Sequence, residues 1–189
     1  MKKIFIFTII LTQAFIYNSC NGNAEKKDKS ADNSTLLINE SDVDQDAANF
    51  IKHASLSSII EIEYGKVAEQ NAKSESVKSF AQAMIKDHTR IYNEMKKLAT
   101  DKKILLPIKM EQGPTDSLAQ LQTLSGEAFD QNYMQLMVSG HQKAIENFKL
   151  GAQNRDATIN KFASEKIELL KEHLNSAIST YNSLNKSRS

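Results

Sequence analysis

The stretch from Ser74 to Leu98, SESVKSFAQAMIKDHTRIYNEMKKL, decides the fold class of this chain. Its apolar residues recur three and four positions apart, which is the spacing of one face of an α-helix. These residues are Val77, Phe80, Ala81, Met84, Ile91, Met95 and Leu98. The stretch contains neither glycine nor proline, and Ser74 is a suitable N-cap residue. It therefore predicts a long amphipathic helix with one face in a helical core.

The same spacing recurs in three further stretches after Ser41, and no stretch there alternates apolar and polar residues as a β-strand would. The predicted helices cover residues 43–71, 74–101, 126–153 and 157–184. The gap between the first two helices is very short, and so is the gap between the last two. Each pair is therefore predicted to form a helical hairpin, and the chain is assigned to the all-α class.

The connection between the two hairpins, residues 102–125, is much longer than the other two. The pairs Leu106-Pro107 and Gly113-Pro114 prevent one continuous helix, and a short helix is predicted at residues 115–122. A connection of this length can run along the whole bundle. The prediction is a ferritin-like four-helix bundle, two helical hairpins joined by a long crossover containing a short helix. An up-down-up-down bundle is the alternative topology.

Residues 1–20 are predicted to be a lipoprotein-type signal peptide. Two lysines precede an apolar run, residues 4–17, that is too short for a stable membrane span. Cys20, the single cysteine, follows where bacterial lipoproteins are cleaved and acylated. We therefore predict a lipid anchor on Cys20 and a location in the bacterial cell envelope, at the outer membrane or the periplasmic face. Cleavage after Ala24 is the alternative, and it would release a soluble periplasmic protein.

The remainder divides into a polar tether at residues 21–41, the bundle domain at 42–185 and a short tail at 186–189. The chain has a net charge of +1, and removal of the two signal-peptide lysines leaves −1. Because nucleic-acid binding needs a basic face, no nucleic-acid partner is predicted. The predicted partner is the membrane, reached through a lipid anchor on Cys20, and the sequence does not identify which proteins the domain binds.

Each predicted helix carries one ionisable residue within its apolar stripe when it is projected at 100° per residue. These residues are Glu61, His88, His141 and His173. Counted from one end of a ferritin-like bundle, they lie within about 5 Å of one another along its axis. Glu63 points to the opposite side of its helix, and His53 lies at the edge of the stripe. We therefore predict one polar layer in the middle of the bundle.

Two interpretations of this layer are open. In the first, it is a structural network in which Glu61 accepts a hydrogen bond from an imidazole, and the other histidines bond hydroxyls such as those of Tyr92 and Tyr133. In the second, three neutral imidazoles and a carboxylate hold one Zn, Fe, Mn or Cu ion, in a metal-binding or redox and stress-protective module. Histidines in cores usually belong to networks, so the sequence slightly favours the first.

Other chemistry is weakly indicated. Asp130 shares the inward angle of His141 but lies about 16 Å from it along the helix. An acidic residue in a first helical turn is more often a partner of the helix dipole than a ligand. The sequence contains no nucleophile elbow, Gly-rich phosphate loop or zinc-protease motif. No catalytic residue is therefore predicted, and Asp130 is only a secondary candidate for the polar core.

Several segments carry a family resemblance. They are EIEYGK at residues 61–66, MIKDH at 84–88, LLP at 105–107, FD at 129–130, YM at 133–134, MV at 137–138, His141, and EHL at 172–174. These segments, spread over most of residues 43–184, resemble domain-of-unknown-function family 4142. The members of this family look like exported bacterial proteins, and they are often described as predicted outer-membrane proteins. The resemblance implies a ferritin-like four-helix fold and an envelope location, and it implies no activity.

The resemblance also implies which residues recur in the family. The family's recurrent glutamate and three histidines correspond to Glu61, His88, His141 and His173. Di-iron proteins of the wider ferritin-like class carry Glu-x-x-His on two helices. In this chain the residues three before its four histidines are Phe50, Ile85, Val138 and Leu170. This difference argues against a conventional di-iron oxidase or ferroxidase, and an enzymatic activity is not expected.

Overall fold

The computed structural model describes residues 44–186. The predicted signal peptide with Cys20, the alternative cleavage site at Ala24, the tether at 21–41 and tail residues 187–189 lie outside the described residues. Five α-helices form the described part: α1 (Gln45–Asn71), α2 (Glu75–Asp101), α3 (Gln112–Gln122), α4 (Gly126–Gly151) and α5 (Ala157–Lys186). None of these helices is both long and apolar enough to cross a membrane.

Aspartates cap two of the helices. The Asp44 carboxylate accepts the backbone N–H groups of Asp46 and Ala47, so α1 begins at Gln45 and not at the predicted residue 43. Asp156 caps α5 in the same way, with the backbone N–H groups of two residues in the first turn as donors. The other ends of the long helices lie within two residues of their predicted positions.

The short helix α3 begins three residues before its predicted start. It includes Gly113 and Pro114, which the sequence analysis placed outside it. The prediction was wrong because proline is tolerated in the first turn of a helix, where a backbone N–H has no intrahelical partner. The backbone N–H of Thr115, the residue after Pro114, donates to the Glu111 carbonyl, so the hydrogen bonds of the helix begin just after the proline.

The topology is ferritin-like. α1 packs against α2 and α4, and α5 packs against α4 and α2. A parallel bridge between Ala72 and Gly126 places the end of α1 beside the start of α4, so the crossover runs from one end of the bundle to the other. The Tyr64 hydroxyl donates to the Pro114 carbonyl at 2.9 Å and holds α3 on α1. The predicted crossover bundle is confirmed, and the up-down-up-down alternative is wrong.

The core consists of two hydrophobic clusters. The first, here the proximal cluster, is centred on Ile51, Ile91, Phe148 and Phe162 and lies toward the start of α1. The second, the distal cluster, lies toward the end of α1 and is centred on Val77, Met84, Phe129, Tyr133 and Met134. Along each long helix, the last buried residue of one cluster and the first of the other are seven to ten residues apart, which is about two to three helical turns. The predicted polar layer occupies this interval.

Asp130 joins the two hairpins at the distal end. It is 1% exposed, and its two carboxylate oxygens accept the backbone N–H groups of Lys73 at 2.9 Å and Ser74 at 2.8 Å. Ser74 is the N-cap residue of α2, as predicted, but its side chain makes no capping hydrogen bond. Asp130 on α4 therefore holds the α1–α2 turn in position through hydrogen bonds and is a structural residue.

We expect Asp130→Ala to lower the free energy of unfolding by about 2–4 kcal/mol, because two backbone N–H groups lose a charged acceptor in a buried turn. Asp130→Asn keeps one acceptor oxygen and should cost less. Urea denaturation followed by circular dichroism measures both values. The exposed Asp101, at the end of α2, offers Asp101→Ala as a control with an expected change below about 0.5 kcal/mol. Equal losses for Asp130→Ala and Asp101→Ala would contradict this role.

Candidate metal centre

Each long helix contributes one buried ionisable residue to the polar layer between the two clusters. Glu61 lies on α1, His88 on α2, His141 on α4 and His173 on α5, and their exposed fractions are 3%, 2%, 0% and 6%. The helical phase of the sequence pointed all four inward. His53, set aside by the same argument, is exposed.

The three histidines come together. Their ring centroids are 5.5 Å apart for His88 and His141, 5.7 Å for His88 and His173, and 5.4 Å for His141 and His173. One nitrogen from each ring can be chosen so that all three nitrogens lie within 4.8 Å of one another. We call His88, His141 and His173 the histidine triad.

Glu61 does not join this group of donor atoms. Its Oε1 lies 3.8 Å from His141 Nδ1, which is beyond hydrogen-bond distance. That Nδ1 donates instead to the Met137 carbonyl at 2.9 Å. Glu61 therefore contacts one ring of the triad from the side.

Hydrogen bonds fix which nitrogen two of the rings can offer. A carbonyl oxygen only accepts, so His141 Nδ1 carries the proton and Nε2 bears the lone pair. His173 Nε2 lies 3.1 Å from Oδ2 of Asp87 on α2. Within residues 44–186, no group forms a hydrogen bond with His141 Nε2, His173 Nδ1 or either nitrogen of His88.

Burial keeps the triad uncharged. It lowers the pKa of His88 well below 6.5, and the neighbouring imidazoles of His141 and His173 lower it further. Burial also lowers the pKa of His141 to about 4 and that of His173 below 6.5, although the Asp87 carboxylate partly opposes the second shift. The triad therefore consists of neutral imidazoles at pH 7, which is the form that binds metal ions.

Burial also keeps Glu61 uncharged, but it does so by raising the pKa of a carboxyl group and not by lowering that of an imidazole. Burial raises the pKa of its carboxyl from 4.5 to about 8, so the group is protonated at pH 7. The carboxyl fits because Gly140 on α4 has no side chain: a Cβ there would lie 2.8 Å from Glu61 Oε1. Glu61 also lines a groove of about 1000 Å³ between α1 and α4, and His53 lies on the same groove. No histidine of the triad lines it.

The hydroxyl partners expected for a structural network are not found among residues 44–186. Tyr133 is fully buried in the distal cluster, and its hydroxyl has no hydrogen-bond partner among the described residues. Burial raises the Tyr133 pKa well above 10, and Glu61 adds to this shift. Tyr92 is half-buried, and over residues 44–186 neither tyrosine hydroxyl bonds a triad nitrogen.

The sequence analysis missed Asp87. Its side chain is 21% exposed and lies at the border of the α2 stripe, so a search for inward-facing residues passes over it. The signal available in the sequence was its position next to His88. An aspartate there is turned by about 100° from the histidine, toward a neighbouring helix of the bundle.

The fold and the triad define the class of protein, an all-α, ferritin-like bundle with a buried histidine cluster. The particular family follows from sequence. The chain belongs to the family described as Domain of unknown function (DUF4142), whose model matches residues 34–179. The resemblance stated above is therefore confirmed. A comparison with curated proteins finds no significant match.

Solved structures share the fold. A DUF305 fragment from Deinococcus radiodurans has a TM-score of 0.67 and 12% identity, over 74% of this chain and 97% of that chain. A putative secreted DUF305 protein from Streptomyces coelicolor has a TM-score of 0.64 and 14% identity, over 74% of this chain and 94% of that chain. CopM in the Cu(II)-bound form has a TM-score of 0.62 and 22% identity, over 72% of this chain and 96% of that chain. At these identities the likeness concerns the fold alone.

Glu61 should give the chelator-treated protein a measurable pH dependence. Between pH 6.5 and 8 Glu61 keeps most of its proton in the folded state and has lost it in the unfolded chain, so this group lowers the stability of the folded state as pH rises, by up to about 1.4 kcal/mol per pH unit. The buried histidines contribute in the opposite direction, because they lose protons in the unfolded chain over the same range, but they do so equally in the wild type and in a variant at position 61. Urea denaturation of both proteins between pH 6.5 and 8 therefore measures the Glu61 contribution as the difference between two slopes.

Glu61→Gln mimics the protonated carboxyl and should remove the Glu61 contribution, so the slope of its stability against pH should be more positive than that of the wild type. Glu63→Gln, two residues along the same helix, is the matched control because the Glu63 side chain is 41% exposed. It should leave the slope unchanged. The same slope in the wild type and in Glu61→Gln would show that Glu61 is not the group responsible.

Proposed function

We propose that the histidine triad binds one transition-metal ion in the core of the bundle. One observation carries this proposal: three buried neutral imidazoles offer nitrogens within 4.8 Å of one another, and each ring has at least one nitrogen without a hydrogen-bond partner among residues 44–186. A buried polar atom without a partner costs about 1–3 kcal/mol, so a fold that holds several together needs a compensating ligand.

The distances between the nitrogens are compatible with a site whose three ligands move inward when the ion binds. Ligands at about 2.0–2.1 Å from a tetrahedral metal lie about 3.4 Å from one another. The 4.8 Å limit on the nitrogen separations therefore requires an inward movement of about an ångström or less, which small rotations of the imidazole rings supply. Because Glu61 lies outside the group of converging donor atoms and stands beside His141, the three imidazoles form the donor set.

The donor set favours copper and zinc. Imidazole nitrogens suit Zn, Cu, Fe and Ni, and Cu(II) binds most tightly among the divalent ions of the first transition row. A set without carboxylate oxygens is a poorer match for Mn. CopM, which has the same fold, is known in a Cu(II)-bound form, and this supports copper as the first ion to test.

The rival interpretation, a structural polar network, needs partners that the triad lacks. Such a network satisfies each buried nitrogen with a hydroxyl, a carbonyl or a carboxylate. Met137 and Asp87 satisfy one nitrogen each on His141 and His173, while His88 has no such partner among the described residues. We therefore prefer the metal site, although the sequence alone favoured the network.

Metal loading tests the proposal. After chelation, incubation with Cu(II) or Zn(II) and desalting, elemental analysis of the mature protein should give one ion per chain. His88→Ala and His141→Ala should each weaken binding by about 100-fold or more, because each removes one donor of three. His53→Ala is the control, since His53 is an exposed histidine on α1, and it should bind like the wild type.

Stability separates the two interpretations. Metal at 100 times its dissociation constant should raise the free energy of unfolding of the wild type by about 2.7 kcal/mol and leave His88→Leu unchanged. A wild type that stays metal-free after loading contradicts the metal site. If His88→Leu is then folded and more stable, the layer is structural.

We further propose that the domain is anchored to the cell envelope through a lipid on Cys20. The support is the sequence alone: an apolar run of signal-peptide length directly precedes the single cysteine, and a polar stretch follows it. With such an anchor, the metal site would face the envelope compartment on a tether.

Mass spectrometry of the mature N-terminus tests the anchor. We expect an acylated Cys20 as the first residue, and Cys20→Ser should move the protein from the membrane fraction to the soluble fraction. Ser19→Ala, next to it, is a control that keeps the thiol, and it should remain in the membrane fraction. A free N-terminus at Glu25 would instead establish cleavage after Ala24.

A further inference from the structure

We infer that Asp87 is a positioning residue that makes His173 coordinate the metal through Nδ1, while His141 coordinates through Nε2. This inference rests on the proposed metal function and names the ligand atoms within it. It depends on two contacts, one between Asp87 and His173 across helices and one between His141 and its own helix.

The Asp87 contact determines the tautomer of His173. A carboxylate oxygen only accepts, so His173 Nε2, at 3.1 Å from Asp87 Oδ2, must carry the proton. In a neutral imidazole the other nitrogen, Nδ1, then bears the lone pair. Nδ1 is buried and has no partner within residues 44–186, so it is the atom that His173 has available for a metal.

Asp87 is itself held in place. Its Oδ1 lies 3.6 Å from Nη2 of Arg90, one turn further along α2, while Oδ2 faces His173 on α5. The side chains of Asp87 and His173 are 21% and 8% exposed, so their hydrogen bond lies at the edge of the core and is largely shielded from water. Shielding strengthens this charge-assisted bond relative to one on the surface.

The other two rings show why the arrangement is specific. His141 is oriented by the Met137 carbonyl of its own helix and presents Nε2, the opposite nitrogen to that of His173. His88 has neither bond, so among the described residues nothing selects its tautomer. Among residues 44–186, Asp87 is therefore the only carboxylate within hydrogen-bond distance of the triad, and a carboxylate partner makes an imidazole a better metal donor.

The test measures tautomers and affinity separately. In chelator-treated protein with ¹⁵N-labelled histidine at pH 7, two-bond nitrogen–proton spectra should assign the proton of His173 to Nε2 and that of His141 to Nδ1. Zn(II), which is diamagnetic, should then shift His173 Nδ1 and His141 Nε2. Asp87→Ala should lower the Zn(II) affinity by about 10–100-fold and release the His173 tautomer, while the His141 tautomer is unchanged.

Two variants complete the design. Asp87→Asn retains an oxygen that can accept from Nε2–H, so it should keep part of the tautomer preference and bind more tightly than Asp87→Ala. It also replaces Asp87→Ala as the test variant if that protein does not fold. Asp101→Ala, which removes an exposed aspartate from the same helix, should match the wild type in both measurements.

The outcomes are distinguishable. If His173 carries its proton on Nδ1 in the wild type, or if both Asp87 variants bind Zn(II) as tightly as the wild type, the inference is wrong while the metal site stands. If the wild type binds neither Zn(II) nor Cu(II), the proposed function is wrong and the coordination inferred here falls with it, while the spectra of the metal-free protein still show whether Asp87 sets the tautomer of His173. Loss of both the tautomer and the affinity in Asp87→Ala supports the inference.

Discussion

A buried imidazole needs a partner for each ring nitrogen, and this requirement governs the middle of the bundle. The proximal and distal clusters could have met to form one continuous apolar core. Instead, four ionisable side chains separate them, and burial forces all four into their neutral forms. The carboxylate of Asp87 and the carbonyl of Met137 each satisfy one nitrogen. Each ring also offers a nitrogen that lies within 4.8 Å of a nitrogen on each of the other two rings, and the proposed metal binding rests on that convergence.

Much of the fold could be predicted from the sequence because helical periodicity is a local property. It identified the four long helices, their pairing and the inward direction of Glu61 and the three histidines. Periodicity gives the angle of a side chain about its own helix, but not its distance from side chains on other helices. For this reason it did not show that Glu61 stands beside the triad, or that Asp87 reaches across to His173.

The other differences have equally local causes. Pro114 was taken as a helix breaker, although the first turn of α3 accommodates it. Asp130 was interpreted as a partner of its own helix dipole, whereas its oxygens bind the backbone of the α1–α2 turn, 56 and 57 residues away in sequence. The role of Asp130 depends on how the two hairpins dock, and the sequence of one helix carries no information about that docking. Proteins at 12–22% identity share this bundle, and a shared fold does not by itself determine the chemistry.

The long crossover has a consequence for when a metal ion can be captured. It divides the triad between two hairpins, with His88 on the first and His141 and His173 on the second. Hairpins form early because their contacts are close in sequence, and their docking comes later. A half-folded chain therefore presents at most two of the three imidazoles, and it competes poorly for ions. In the proposed metal-bound form, the ion would link segments up to 85 residues apart in sequence and would act as a reversible cross-link that stabilises the finished fold.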